Sequence, residues 1–129
     1  MYISRSNLVP ETATAAVEDI VIRSVSHNSR HLVTGALIFT GERFAQLIEG
    51  PAEAVAQLRS TITADPRHGD LVRLTPLSSG FRRFAGWSLA YCGPSHFVIT
   101  AVERALRASG GERRVAVDNL TNLMVAFVA

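Results

Sequence analysis

The stretch from Thr34 to Gly50, TGALIFTGERFAQLIEG, limits what this chain can fold into more than any other. Two apolar runs flank Gly41-Glu42, with glycine at the first central position, as a type II′ hairpin turn requires. The reading is an antiparallel hairpin of about Leu32–Thr40 and Arg43–Ile48. In its second strand Phe44, Gln46 and Ile48 share one face, and Ala45, Leu47 and Glu49 the other. Gln46 is then a primary amide at mid-strand between two large apolar neighbours. A buried amide left unpaired costs about 1–3 kcal/mol, so Gln46 needs a partner, whether backbone, solvent or something bound.

The rest of the chain supplies the cover. Met1–Ser4 forms a short strand, with Tyr2 and Ser4 on one side and Ile3 on the other, and Asn7–Pro10 breaks it. A helix over about Glu11–Asn28 carries Val17, Ile20, Val21, Ser24, Val25 and Asn28 on one face. Asn28, a second primary amide, either points inward or caps the helix C-terminus; His27 beside it reads as a surface or cap residue. Gly50-Pro51 opens a second helix with Val55, Leu58 and Ile62 inward, and it stops before Pro66. Asp65-Pro66-Arg67-His68-Gly69-Asp70 is a polar loop, either a solvated turn or a phosphate or sugar clamp.

Leu71–Leu77 is a fourth strand, placed at an edge by Pro76. Residues 78–86 form a loop with adjacent Arg82 and Arg83. Trp87–Cys92 is a fifth strand in which Trp87, Leu89 and Tyr91 alternate with Ser88, Ala90 and Cys92, and a lone Trp on such a face packs in the core. Helices over Pro94–Ser109 and Glu112–Phe127 follow, the last with Val115, Leu120, Leu123 and Phe127 inward or open to a partner. The order β-α-β-β-α-β-β predicts a ferredoxin-like α+β sheet with two helices on one face, plus two C-terminal helices. Residues 1–92 make the core, and residues 93–129 a helical extension of the same domain. The crevice between the first two helices is a usual place for a small-molecule site.

Composition narrows the chemistry. With 129 residues, 47% hydrophobic and 19% charged, the chain is one folded domain. Its net charge of +2 is spread without a basic block, which argues against direct nucleic-acid binding. One cysteine, Cys92, excludes an internal disulfide and fits a reducing, cytoplasmic setting. No N-terminal signal is visible, and the apolar tail Leu123–Ala129 is too short to cross a membrane. No Cys/His metal spacing, P-loop, GxGxxG, GxSxG elbow or nucleophile–base pair occurs. Arg5-Ser6-Asn7 lacks the glycine-rich cradle that acylphosphatase-like catalysis would need. The chain is therefore not expected to be an enzyme. Its amides and aromatics suit hydrogen bonding to a planar polar ligand.

The string HNSRHLVTGALIFTGERFAQLIEG, followed by DPRH and RRFAGW, resembles the BLUF domains, blue-light sensors that use flavin. The likeness runs from Tyr2 to about Tyr91, and the motifs are specific in combination. It implies FAD between the first two helices. Tyr2 matches the tyrosine that donates an electron and proton to the excited flavin. Gln46 matches the glutamine whose amide rearranges its hydrogen bonds, which gives a switch local bistability. Asn28 matches the amide at the polar ring edge, and His27 stands beside it. Asp65, Arg67 and His68 match the segment near the ribityl and phosphate end. Trp87 matches the fifth-strand tryptophan, a signal carrier or competing electron donor.

This sequence departs from the family pattern in three places. Leu89 stands where many members have Met, and leucine lacks the polarizable sulfur. The chain begins one residue before Tyr2, so a frayed first strand is expected to hold Tyr2 less firmly. No effector follows Tyr91, so output is expected through an unknown effector protein or homo-oligomer formation. Two other classes stand beside the photoreceptor: a flavin-free ferredoxin-like interaction module, and a small enzyme using Arg67 and His68 as an anion site. The apolar last helix either covers the open sheet face or meets a neighbour.

Overall fold

The computed structural model describes residues 1–75 and 80–127. Its elements are β1 (Tyr2–Ser6), a 3₁₀ turn (Pro10–Thr12), α1 (Ala13–Arg30), β2 (Thr34–Phe39), β3 (Arg43–Glu49) and α2 (Ala52–Ala64). Then come β4 (His68–Arg73), β5 (Ala90–Cys92), α3 (His96–Arg107) and α4 (Gly110–Ala126). One sheet runs in the order β4-β1-β3-β2-β5, antiparallel except for the parallel β2–β5 pair. This is the expected ferredoxin-like α+β fold with two added helices.

The hairpin forms as its pattern requires. Gly41 takes φ 98°, and the Thr40 amide donates to the Arg43 carbonyl at 2.9 Å. Alternation then sends Leu37, Phe39 and Phe44 into one apolar cluster with Val17, Ile20 and Leu89 under α1. The opposite face, with Ile3, Ala36, Ile38 and Ala45, packs against Val98, Val102, Val117, Leu120 and Met124 of α3 and α4. The last helix covers the sheet, the first of the two alternatives. The residues it buries are Ala116, Val117, Leu120, Thr121 and Met124. Val115 and Phe127, expected either inward or open to a partner, are 60% and 52% exposed.

Three other expectations change. The first strand is not frayed, because β1 is internal and Tyr2 pairs with Gln46 on one side and Arg73 on the other. The fourth strand starts at His68 rather than Leu71. Ser6 and Arg5 of β1 offer backbone pairing to His68 and Gly69, and this pairing recruits polar residues that an apolar pattern cannot flag. A register shift between Ile3 and Arg5 absorbs Asp70, which adopts φ 48°. That strand is an edge, as expected, although Pro76 and Leu77, on which the expectation rested, lie outside the described residues.

The fifth strand shrinks to Ala90–Cys92. Ala90 and Cys92 are buried with Leu89, whereas Trp87 is 47% exposed and Tyr91 41% exposed. Trp87 is thus not a core residue. Its segment is bent away by the tight turn in which the Trp87 amide donates to the Phe84 carbonyl at 2.9 Å. Phe84, 1% exposed, fills the core instead.

Candidate functional site between the first two helices

β1 and β3 place Tyr2 directly opposite Gln46, with Leu37 of β2 on the other side of the glutamine. Both residues are buried, at 6% and 9% exposure. No protein group among the described residues hydrogen-bonds to the Tyr2 hydroxyl or the Gln46 amide. Every completely sealed side-chain polar atom among those residues does have a partner. The two groups therefore open onto accessible space on the α1–α2 side of the sheet. A cavity of about 960 Å³ at the sheet end touches Tyr2, Ile48 and Val55 and runs past Arg82 and Arg83 to Val117 and Thr121 of α4, without lining from α1 or Gln46.

The helix stripes facing that space are incompletely covered. Val25 lies on the inward stripe of α1 yet is 38% exposed, and Val21 and Ser24 are half-buried. Only Val55 of the α2 stripe is buried, while Leu58 and Ile62 are half-covered. Apolar walls with a few convergent polar groups are the usual make-up of a cofactor crevice.

Asn28 satisfies both readings made of it. Its backbone carbonyl accepts from His31 and Val33 at 3.1 and 2.9 Å and ends the helix. Its side chain, in a residue 1% exposed, turns inward and donates from Nδ2 to the Ser88 carbonyl at 2.9 Å. His27 is exposed; its ring stacks on His31 at 4.2 Å, and its Nδ1 lies 3.5 Å from Asn28 Oδ1. The segment before β5 is thus fastened to α1 through an amide, not through packing of Trp87.

Asp65, Arg67 and His68 sit at the other end of the crevice, and the chain separates them. Arg67 grips Asp65 with Nε at 3.0 Å and Nη2 at 2.6 Å, and its Nη1 lies 3.8 Å from Asp19 of α1. Those bonds hold the Asp65 carboxyl below its usual range and raise the guanidinium. His68 lies in β4, its Nδ1 2.7 Å from Ser4 Oγ and its ring 4.6 Å from that of Phe44. Burial lowers its pKa, so the imidazole is neutral at pH 7. Asp19 and Asn28 are nine residues apart on α1, about 14 Å. The site thus has an amide end at Asn28, Gln46 and Tyr2, and a charged end at Arg67.

Sequence reasoning missed Ser4 as the partner of His68, the Ser88 carbonyl and the role of Glu49. Ser4 shares a face with Tyr2, so its direction was visible and its partner was not. A backbone carbonyl leaves no sequence signal at all. Glu49, read as a strand-end residue, accepts from Thr34 Oγ1 at 2.9 Å and from the amides of Arg83 and Phe84.

The geometry fits a planar heteroaromatic ligand whose edge alternates donors and acceptors, and comparison with known proteins agrees. The family model described as BLUF, sensors of blue-light using FAD, matches residues 1–90. The chain belongs to the BLUF family. It is 37% identical over 82 residues to the blue light- and temperature-regulated antirepressor BluF of Escherichia coli, covering 64% of this chain and 20% of that one. The solved dark state of BlrB, a BLUF protein, superposes with a TM-score of 0.78 at 32% identity, over 97% of this chain and 92% of that one. Klebsiella pneumoniae BlrP1, solved with FMN and cyclic diGMP, gives a TM-score of 0.67 at 31% identity, over 98% of this chain and 33% of that one. The chain is therefore a blue-light sensor domain of the flavin-using kind. No helix among the described residues is long and apolar enough to cross a membrane.

Proposed function

We propose that this chain binds FAD between α1 and α2 and senses blue light by rearranging the hydrogen bonds of Gln46. The observation that carries this reading is the paired placement of Tyr2 and Gln46, both largely buried, with no hydrogen-bond partner for the hydroxyl or the amide among the described residues. Bound flavin supplies the blue absorption and the redox capacity that light unlocks. Under light Tyr2 gives an electron and its hydroxyl proton to the bound flavin and takes both back on recombination, so that no net redox change remains. The Gln46 amide relays that proton, then settles with its donor and acceptor ends exchanged. One amide can fill one volume with two hydrogen-bond patterns, so the change persists without a large movement.

Asn28 orients the polar ring edge, with His27 beside it. Asp65, Arg67 and His68 face the ribityl and phosphate end. Arg67 reaches a phosphate only by sharing its guanidinium with Asp65 and Asp19. Residues 1–92 act as the flavin core, and residues 93–129 are its helical extension. Trp87 and Leu89 carry the change towards a downstream effector protein or a second copy of the chain in the cytoplasm. Phe97, Val115 and Phe127, exposed on α3 and α4, support an output surface there. The flavin-free interaction module drew on a weakly held Tyr2, and internal β1 removes that support.

Reconstitution with FAD, followed by blue light, tests the proposal. The expected result is a flavin spectrum that shifts slightly to the red and relaxes in the dark. A protein that stays colourless with FAD and with FMN contradicts it.

A further inference from the structure

We propose that Glu49 is a positioning residue whose carboxylate anchors the segment Arg82–Ser88 to β3, so that a change at Asn28 in the crevice is delivered to Trp87 at the surface. The inference rests on the flavin-sensor reading above and adds the element that carries its signal.

Glu49 faces away from Gln46, although it borders the sheet-end cavity that also touches Tyr2. It is three residues from Gln46 and therefore on the opposite side of β3, where it ends the strand. Its two oxygens collect three donors: Thr34 Oγ1 at 2.9 Å, the Arg83 amide, and the Phe84 amide at 3.1 Å. Two consecutive backbone amides on one carboxylate make charge-assisted bonds, stronger than a neutral acceptor would provide. Thr34 also receives Arg82 Nη1 at 3.0 Å, and Arg82 Nη2 donates to the Leu32 carbonyl at 2.7 Å. The start of the segment is thus fixed to both hairpin strands.

Its far end is fixed to the crevice. The Ser88 carbonyl accepts from Asn28 Nδ2 at 2.9 Å, and the Trp87 carbonyl accepts from the Gly35 amide at 3.2 Å. Phe84, buried in the core, prevents the middle from lifting as a whole. Between the anchors, Trp87 is the large side chain left half-exposed, at 47%. With Arg83 and Phe84 held by Glu49, a displacement of Ser88 has to be absorbed at Trp87, which lies next to it and is tied back to Phe84. With the Glu49 anchor removed, the Arg83–Phe84 end gives way with Ser88 and Trp87 no longer reorients against a fixed point. A carboxylate that merely stabilised the end of β3 would leave the Trp87 response intact.

Trp87 is the only tryptophan of the chain, so fluorotryptophan labelling gives a single reporter for fluorine NMR. The test uses the full chain reconstituted with FAD, in the dark and under blue light, as wild type, Glu49→Ala and Glu49→Gln. The expected result is a light-dependent shift of the Trp87 resonance in wild type and loss of that shift in Glu49→Ala. Glu49→Gln, which keeps the length and one acceptor, is expected to fall between them. All three retain the red shift of the flavin, because the crevice contacts are untouched. If Glu49→Ala does not fold, Glu49→Gln and Thr34→Val carry the test. An undiminished Trp87 shift in the folded variants overturns the proposal, as does a wild-type flavin that responds to light while Trp87 does not. A wild type without flavin or without any flavin response refutes the sensor reading itself, a distinguishable failure.

Discussion

Tyr2 and Gln46 are register partners across β1 and β3, both nearly sealed from solvent, with the hydroxyl of one and the amide of the other turned into the same crevice. β1 is held on both sides, by β3 and β4, so the phenol is fixed by two ladders and not carried on a loose terminus. Such a pair adds no protein hydrogen bond among the described residues, and its polar groups keep access to open space. It is suited to receiving a ligand with complementary donors and acceptors.

Replacing Tyr2 by Phe removes the hydroxyl and keeps the packing. Flavin binding should be retained to within about 1 kcal/mol, and the ordinary red-shifted photoproduct should disappear. Absorption after blue light checks this. A Tyr2→Phe protein with an unchanged photocycle would move the donor to another residue, with Trp87 the first to examine.

Leu32 follows α1 with φ 58°, the left-handed conformation that usually calls for glycine at a helix C-terminus, and its side chain is 67% exposed. Little burial is lost on truncation, whereas the backbone strain of a left-handed leucine is about 1 kcal/mol. Leu32→Gly should therefore raise stability by up to about 1 kcal/mol, measurable as a higher midpoint in urea. An unchanged or lower midpoint would mean that Leu32 packs against more than its exposure suggests.

Gly35 has the opposite requirement. A Cβ there would collide with the carbonyl of Leu47 on the paired strand, which is backbone and cannot swing aside. Gly35→Ala should destabilise the fold by about 1–3 kcal/mol through forced separation of β2 and β3. The same separation would loosen the Gly35–Trp87 hydrogen bond. Denaturant unfolding compares the two proteins, and a neutral result would contradict the close strand approach.

His68 gives the stability a pH dependence. Burial depresses its pKa below the ordinary 6.5, so near and below pH 6.5 the unfolded chain binds a proton that the folded chain refuses. More protons on the unfolded side means that stability rises with pH in that window. Acidification from about pH 7 should lower Tm as pH falls through the unfolded value of about 6.5. The loss should level off once pH drops below the folded pKa. His68→Gln should remove that component. A wild-type Tm that is flat from pH 7 to 5, or a slope unchanged in His68→Gln, would contradict a buried neutral imidazole.

Much of this arrangement can be read from residues alone, for identifiable reasons. The hairpin was legible because glycine at a turn and period-two alternation act locally, and the same alternation set Gln46 on the face of Phe44 and Ile48, which strand pairing makes the face of Tyr2 as well. The α1 stripe was legible through to Asn28, including its inward amide. His68 in β4 was not, because an edge strand recruited by the backbone of β1 needs no apolar residues of its own. Trp87 was misread as core because size and hydrophobicity argued for burial. The Glu49 anchor of the segment before it depends on contacts 34 and 35 residues apart. The buried face of α4 was legible at Leu120 and Leu123 but not at Ala116 and Thr121, which are weak hydrophobic signals beside Val115 and Phe127.

The most direct test of the central claim is the light-minus-dark absorption spectrum of FAD-loaded wild type beside FAD-loaded Gln46→Ala. The account predicts a reversible red shift in wild type, and in Gln46→Ala a bound flavin with no such shift. An equal red shift in both proteins would contradict the switch assigned to Gln46.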